Sequence, residues 1–172
     1  MPEGRVFQAG ARRIYAEGPF EEISKRSDGK TERRVISYRF HITGIKKPAR
    51  IDLWRAPNDD STLEIGFHSL TEKYRGLGPA LFKFIHNDPY LRQFGVEKIT
   101  ITKDIARDLS FFAHMGYEHA TEREKEGFLR ALSGQWPTGI ERTRSTRLGS
   151  ILFRYSQGRR KTPKTTMARH LA

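Results

Sequence analysis

From Thr62 to Ile85 the hydrophobic pattern changes period across one glycine-containing loop, and this junction narrows the possible folds more than any other feature. Thr62-Leu63-Glu64-Ile65-Gly66-Phe67-His68-Ser69-Leu70 alternates as a strand does, with a period of about two residues. Gly76-Leu77-Gly78 follows, and then Pro79-Ala80-Leu81-Phe82-Lys83-Phe84-Ile85 reads as a helix. Proline suits a helical first turn because its missing N–H would have no partner there. A strand that runs through glycines into a helix is a natural place for phosphate oxygens. Glycine lets the backbone approach closely, the first amides of the helix point outward, and the helix dipole favours negative charge. Arg75 adds a charge-assisted contact. The spacing is neither that of a P-loop, since no Gly-Lys-Ser/Thr follows, nor that of the dinucleotide fingerprint. The same residues also read as a tight turn with close helix packing.

The remaining elements predict an α+β or mixed α/β domain. Phe20 to Arg26 reads as extended, and Asp28-Gly29 predicts a hairpin into the strand Val35–Ile42. Thr43 to Pro48 is a turn, Arg50 to Trp54 a strand, and Pro57 to Ser61 a loop. After the helix that begins at Pro79 and ends near Asn87, Asp88-Pro89 starts a further short helix and Gly95 closes it. Val96 to Thr102 is a strand. Asp104 is the expected cap of a helix carrying Ala106, Leu109, Phe112 and Ala113, which Gly116 ends. Tyr117 to Ala120 is a short strand, Thr121 to Leu132 a charged helix, and Gly149 to Tyr155 a late strand. The expected organisation is one domain over residues 1–157 and a basic tail over 158–172.

Charge and residue usage restrict partners. The 172 residues carry a formal net charge of +12 and no cysteine, so disulfides and thiolate metal sites are excluded. No His-x-x-x-His or similar ligand spacing appears; His41 and His114 are isolated. No apolar run reaches the roughly 20 residues of a membrane helix, and Met1 to Arg5 lacks a signal-peptide pattern. The expectation is a cytoplasmic protein without membrane association. After Glu141 the chain has no acidic residue. Arg159, Arg160, Lys161, Lys164 and Arg169 therefore form a candidate docking region for a polyanion, either nucleic acid or an acidic protein face. The plainer alternative is a solvated terminus.

Three segments together resemble the GNAT superfamily of N-acetyltransferases. Arg75-Gly76-Leu77-Gly78-Pro79-Ala80 matches that family's Arg/Gln-x-x-Gly-x-Gly/Ala signature. Glu64-Ile65-Gly66-Phe67, Leu70 and Tyr74-Arg75-Gly76 are similar to its strand and loop. Phe111-Phe112-Ala113-His114-Met115-Gly116-Tyr117 is similar to its late helix end. The likeness covers roughly residues 50–120. It implies a mostly antiparallel central sheet whose middle strands, here Thr62–Leu70 and Val96–Thr102, splay around acetyl-CoA or another acyl-CoA. It further implies that Leu70, Arg75, Gly76, Leu77, Gly78 and Ala80 hold pantetheine and pyrophosphate, with Phe112 lining the cofactor. The implied reaction is direct acyl transfer to an amine.

Within that resemblance Glu64 is the candidate general base. His68, two alternations along the strand, is expected on the same face and is a second candidate, because neutral imidazole is a competent base at neutral pH. Either residue also reads as a polar group on a half-buried strand. Phe112 occupies the position where the family usually has a tyrosine acid, and phenylalanine has no proton to give; Tyr117 is the nearby substitute. Ile105 replaces a frequent asparagine, Pro79 removes one amide, and residues before 34 show no clear helical pair. Two functions follow: an acetyl-CoA-dependent N-acyltransferase, or a non-catalytic protein on the same scaffold whose basic C-terminal region anchors it in a nucleic-acid-containing assembly.

Overall fold

In a computed structural model the structure describes residues 4–25, 29, 32–68, 74, 76–135 and 161–171. The chain forms two compact units, Met1–Ile99 with His170–Ala172, and Thr100–Arg169.

The first unit is built on five strands that follow one another in space as in sequence: β1 (Arg5–Ala9), β2 (Arg12–Lys25), β3 (Glu32–Ile42), β4 (Ala49–Ala56) and β5 (Asp59–His68). Every consecutive pair is antiparallel. Register follows the apolar residues. Ile36 lies opposite Leu53, Tyr38 opposite Ile51, and Ala16 opposite Phe40, so one sheet face is continuous and apolar. Helices α1 (Gly78–His86) and α2 (Pro89–Gln93) supply Leu81, Phe82, Ile85 and Leu91 to the same core. On α1, Phe84 meets the rings of Phe7, Tyr38 and Phe40.

The predicted pairing of these two strands is present, antiparallel with Lys25 opposite Glu32, and Gly29 between them has a φ of 69°; Asp28 lies outside the described residues. Two N-terminal features were not anticipated. β1 exists, and β2 begins at Arg12 rather than Phe20, because Phe7 and the buried Ile14 face the same side only as a cross-strand pair, while Val6 points to solvent. The expected loop at Pro57–Ser61 is a tight turn instead. Asp59 begins β5, and its carboxylate accepts from the Ser61 amide at 3.0 Å and the Ser61 hydroxyl at 2.6 Å. These bonds, Ser61 first and then Thr62, hold its carboxyl well below the usual carboxylate range.

Asp88 ties strands to helices. Its two oxygens accept from Arg5 Nη1 at 2.8 Å, Arg5 Nη2 at 2.5 Å, Tyr38 Oη at 2.8 Å and the Tyr90 amide at 3.0 Å. The carboxylate is fully buried, so it requires this whole donor set. Asp88 is the expected cap of the short helix, and Tyr38 is held protonated by burial and then by the Asp88 charge. Replacing Asp88 by Ala leaves a partly buried guanidinium and a buried hydroxyl without their acceptor. We expect a loss of about 3 to 5 kcal/mol in urea unfolding, against about 1 kcal/mol for Tyr38→Phe, which removes one donor only. Equal losses would refute this ranking.

The second unit contains β6 (Lys98–Ile105) from Thr100 onward, α3 (Ala106–His114), β7 (Glu118–His119), α4 (Glu122–Gln135) and β8 (Lys161–His170), with β8 between β6 and β7. Ile105, not Asp104, is the N-cap of α3, and it makes no side-chain cap bond. Gly116, at a φ of 83°, closes α3 as expected. The expected strand Gly149–Tyr155 lies outside the described residues.

Lys161–His170 was expected in a basic tail and is a strand instead. The sequence signal was hidden by the exposed lysines; Thr165 and Met167 alternate inward and are buried, as is Thr162. What orders this segment is its own chain. Glu124 of α4 accepts from the Thr165 hydroxyl at 3.0 Å and the Thr166 amide at 2.8 Å, taking the place of a strand neighbour. Thr102 and Thr166 hydroxyls meet at 2.9 Å. Glu124→Ala should therefore expose the Thr166 amide to hydrogen exchange by about tenfold or more while leaving amides of β3 and β4 unchanged. Unaltered Thr166 protection would show that Glu124 does not hold β8.

Candidate active site

The site is organised by a one-residue bulge in β5. Trp54 pairs with Glu64 and Leu53 with Ile65, but Asp52 pairs with Phe67, so Gly66 is extra. An extra residue reverses the alternation of everything beyond it. Glu64 therefore shares a face with Trp54 and Asp52, whereas His68, opposite Ile51, belongs to the apolar face. The expectation that Glu64 and His68 share a face is corrected by this register. Each is half-buried on its own side.

The bulge explains why Gly66 is glycine. A Cβ there would lie 2.1 Å from Cε2 of Trp54, inside the indole. Trp54 lies against the bulge, and the guanidinium carbon of Arg33 sits 4.9 Å from the Trp54 ring centroid. A half-buried carboxylate thus stands beside an aromatic wall. Next along the same face, Ser37 Oγ donates to Asp52 at 2.8 Å, and Arg50 Nε donates to both Asp52 oxygens at 2.7 and 3.0 Å. Trp54, Asp52 and Arg50 were not singled out as site residues. Their alternation on one strand was visible, but nothing in it distinguished the face bearing Glu64 from a solvated one.

The strand-to-helix corner has the expected form where it is described. Tyr74 anchors the loop through its hydroxyl, which donates to the Lys47 carbonyl at 2.7 Å. Gly76 has a φ of 79°, and among the described residues beyond its neighbours no atom lies within 4 Å of where its Cβ would be. The Leu77 amide donates to the Tyr74 carbonyl at 2.9 Å, closing the turn, and Leu77 is the buried N-cap of α1. The first i to i−4 bond is Leu81 to Leu77, at 3.1 Å. Helix geometry thus leaves the Gly78 and Ala80 amides without an intrahelical acceptor, and Pro79 has none to offer. Among the described residues no side chain caps this end, and its first turn holds no acid. Leu70 and Arg75 lie outside the described residues.

In the second unit Phe112 is buried, with its ring 5.0 Å from Phe111 and 5.2 Å from Tyr117. Burial pushes the Tyr117 phenol up, so it keeps its proton. Among the described residues no group of three His, Asp or Glu side chains is placed to hold a metal, and no helix is long and apolar enough to cross a membrane.

No protein-family model and no curated protein matches the chain. Solved structures do. Nourseothricin acetyltransferase is similar over 99% of this chain and 98% of its own, with 10% identity and a TM-score of 0.47. A GNAT family acetyltransferase from Elizabethkingia anophelis, solved with acetyl-CoA bound, is similar over 81% of this chain and 76% of its own, with 12% identity and a TM-score of 0.46. N-acetylglutamate synthase from Neisseria gonorrhoeae, in complex with coenzyme A and N-acetyl-glutamate, is similar over 79% of this chain, with 17% identity and a TM-score of 0.44. This chain spans 26% of that synthase.

The bulge gives a direct test. Gly66→Ala should cost about 1 to 3 kcal/mol by overpacking, and the cost should shrink in a Trp54→Ala background because the clash is with the indole. Additive effects in that double-mutant cycle would rule out the contact as the reason for glycine.

Proposed function

We propose that this chain is an acyl-CoA-dependent N-acyltransferase of the cytoplasm, with the corner Tyr74–Ala80 as its diphosphate site and Glu64 as its general base. One observation carries the reading: α1 starts through a left-handed glycine, with no side-chain cap among the described residues, no acid in its first turn, and Gly78 and Ala80 amides that have no intrahelical acceptor. That donor set suits a diphosphate, and the open space at Gly76 suits close approach of a ligand. When bound, acyl-CoA supplies an acetyl group as an activated thioester. Gly78 and Ala80 donate to phosphate oxygens, and Arg75 contributes charge. Glu64, beside Trp54, takes the proton that the acceptor ammonium must lose before its nitrogen attacks the carbonyl carbon. Leu70 and Phe112 remain proposed cofactor contacts, and His68 is the weaker base because the bulge turns it to the other face.

Ala80→Glu is a sensitive test. A carboxylate in the first turn favours the helix dipole by about 0.5 kcal/mol, so stability holds or rises. It repels a diphosphate, so acetyl-CoA affinity measured by calorimetric titration should fall by about tenfold or more. Glu64→Gln should leave acetyl-CoA binding intact and lower kcat about a hundredfold or more. Failure of the unaltered protein to bind acetyl-CoA at millimolar concentration ends the proposal.

The net charge of +12 favours a second reading, docking on a polyanion. Lys161 and Lys164 are exposed on β8, and Lys164 and Arg123 line an open cleft of about 510 Å³ beside α4. Arg169 is turned inward, its Nη1 donating to the Met115 carbonyl. Arg159 and Arg160 lie outside the described residues.

A further inference from the structure

The face that carries Glu64 holds a second feature with its own ligand chemistry. β3 and β4 are in a register that sets Arg39 directly opposite Arg50. Two like charges facing each other across a sheet are destabilising unless an anion lies between them. Here Glu22 of β2 fills that role at arm's length. Its carboxylate reaches Arg39 Nη2 at 3.8 Å and Arg50 Nη2 at 3.6 Å, beyond hydrogen-bond distance to either. Glu22 and Arg39 are each 44% exposed and Arg50 is 40% exposed, so the slot opens to solvent.

The slot is held in place from below. Asp52, nearly buried, grips Arg50 Nε through both oxygens, and the fully buried Ser37 braces Asp52. The guanidinium of Arg39 lies 5.6 Å from the ring of Phe20. Glu22 presents a carboxylate to both guanidinium groups, and a carboxylate is the ligand chemistry the slot shows.

We propose that Arg39 and Arg50 recognise a carboxylate on the acyl acceptor, and that Glu22 is an internal stand-in which the acceptor displaces. This rests on the acyltransferase reading only for the fate of the acceptor's amine. Arg50, Asp52 and Trp54 alternate along β4, and Trp54 is opposite Glu64. Four residues at about 3.3 Å each put about 13 Å of strand between Trp54 and Arg50, and the reach of the Glu64 and arginine side chains shortens the distance between amine and carboxylate in the acceptor to on the order of 10 Å. The substrate class is an amino acid or peptide-like amine with its reactive nitrogen well removed from its carboxylate. In the reaction the nitrogen forms the amide bond to the acetyl carbon, the carbon–sulfur bond breaks, one ammonium proton goes to Glu64, and the thiol leaves.

The test uses the full chain, acetyl-CoA, and ω-amino acids from aminobutanoate to aminooctanoate, beside alkylamines and aminoalkyl phosphates of matched length. Acetylated product and direct binding are both measured. We expect kcat/KM for the longer ω-amino acids to exceed that of matched alkylamines by about tenfold or more. Arg39→Gln should erase this preference through KM with kcat little changed, and Glu22→Gln should strengthen binding of the same amino acids. Arg50→Lys, which keeps a charge over Asp52, checks that loss does not come from misfolding; it should weaken binding while melting near the wild-type temperature. Equal use of alkylamines, a preference for phosphates, or binding unaffected by Arg39→Gln overturns the proposal. Absence of acetyl-CoA binding would end the acyltransferase reading alone, since direct binding of the amino acids to wild-type and Arg39→Gln protein still decides the carboxylate site.

Discussion

Which residues of β5 beyond Glu64 face the polar side of the first unit depends on one extra residue. Gly66 reverses the alternation of β5, and the Trp54 indole lies against it because no Cβ stands in the way. Without that insertion His68 would lie on the face of Asp52, placing an imidazole with the carboxylates. With it, Glu64 is the titratable group of β5 that stands with Asp52 and Trp54. The chemistry on this face is thus selected by backbone geometry before any side chain acts, in keeping with the tendency of bulges to re-aim side chains beside functional sites.

The corner that opens α1 works by omission. A helix start normally recruits a serine, threonine or acid to satisfy its first amides. Here Leu77 occupies that place and turns its side chain into the core, and the loop is stabilised through Tyr74 and Lys47 instead. Loop order and amide availability are thereby separated. The turn is fixed by bonds on its inner side, and its outer side is left with donors. An anion that binds there gains contacts without displacing any cap.

Much of this was legible in the sequence. The helix boundaries at Asn87 and Gly116, the strand pairing across Asp28-Gly29 and the glycine corner each rest on residues whose backbone preferences are strong and local. The faces of β5 were not legible past Gly66, because a period-two reading has no means of registering an insertion that only the partner strand reveals. β1 and the first half of β2 escaped for a related reason: their apolar residues are few and make sense only as cross-strand pairs. Lys161–His170 misled through composition. Its lysines suggested a solvated arm, while the inward placement of Thr165 and Met167, and of Thr162, was hidden by the polarity of threonine. The pairing of Arg39 with Arg50 depends on register across a turn, which no single-strand pattern contains.

The position of β8 has a consequence for how the chain is made. It is an inner strand of the second unit, lying between β6 and β7, and Glu124 is bonded to its backbone. Translation delivers β6, α3, β7 and α4 first, and leaves them facing a vacant lane until about residue 170 has left the ribosome tunnel. The first unit, a meander of neighbouring hairpins, can close strand by strand as it emerges. Synthesis therefore divides the molecule into an early half that matures during elongation and a late half that must wait, with exposed strand edges in need of protection for that interval.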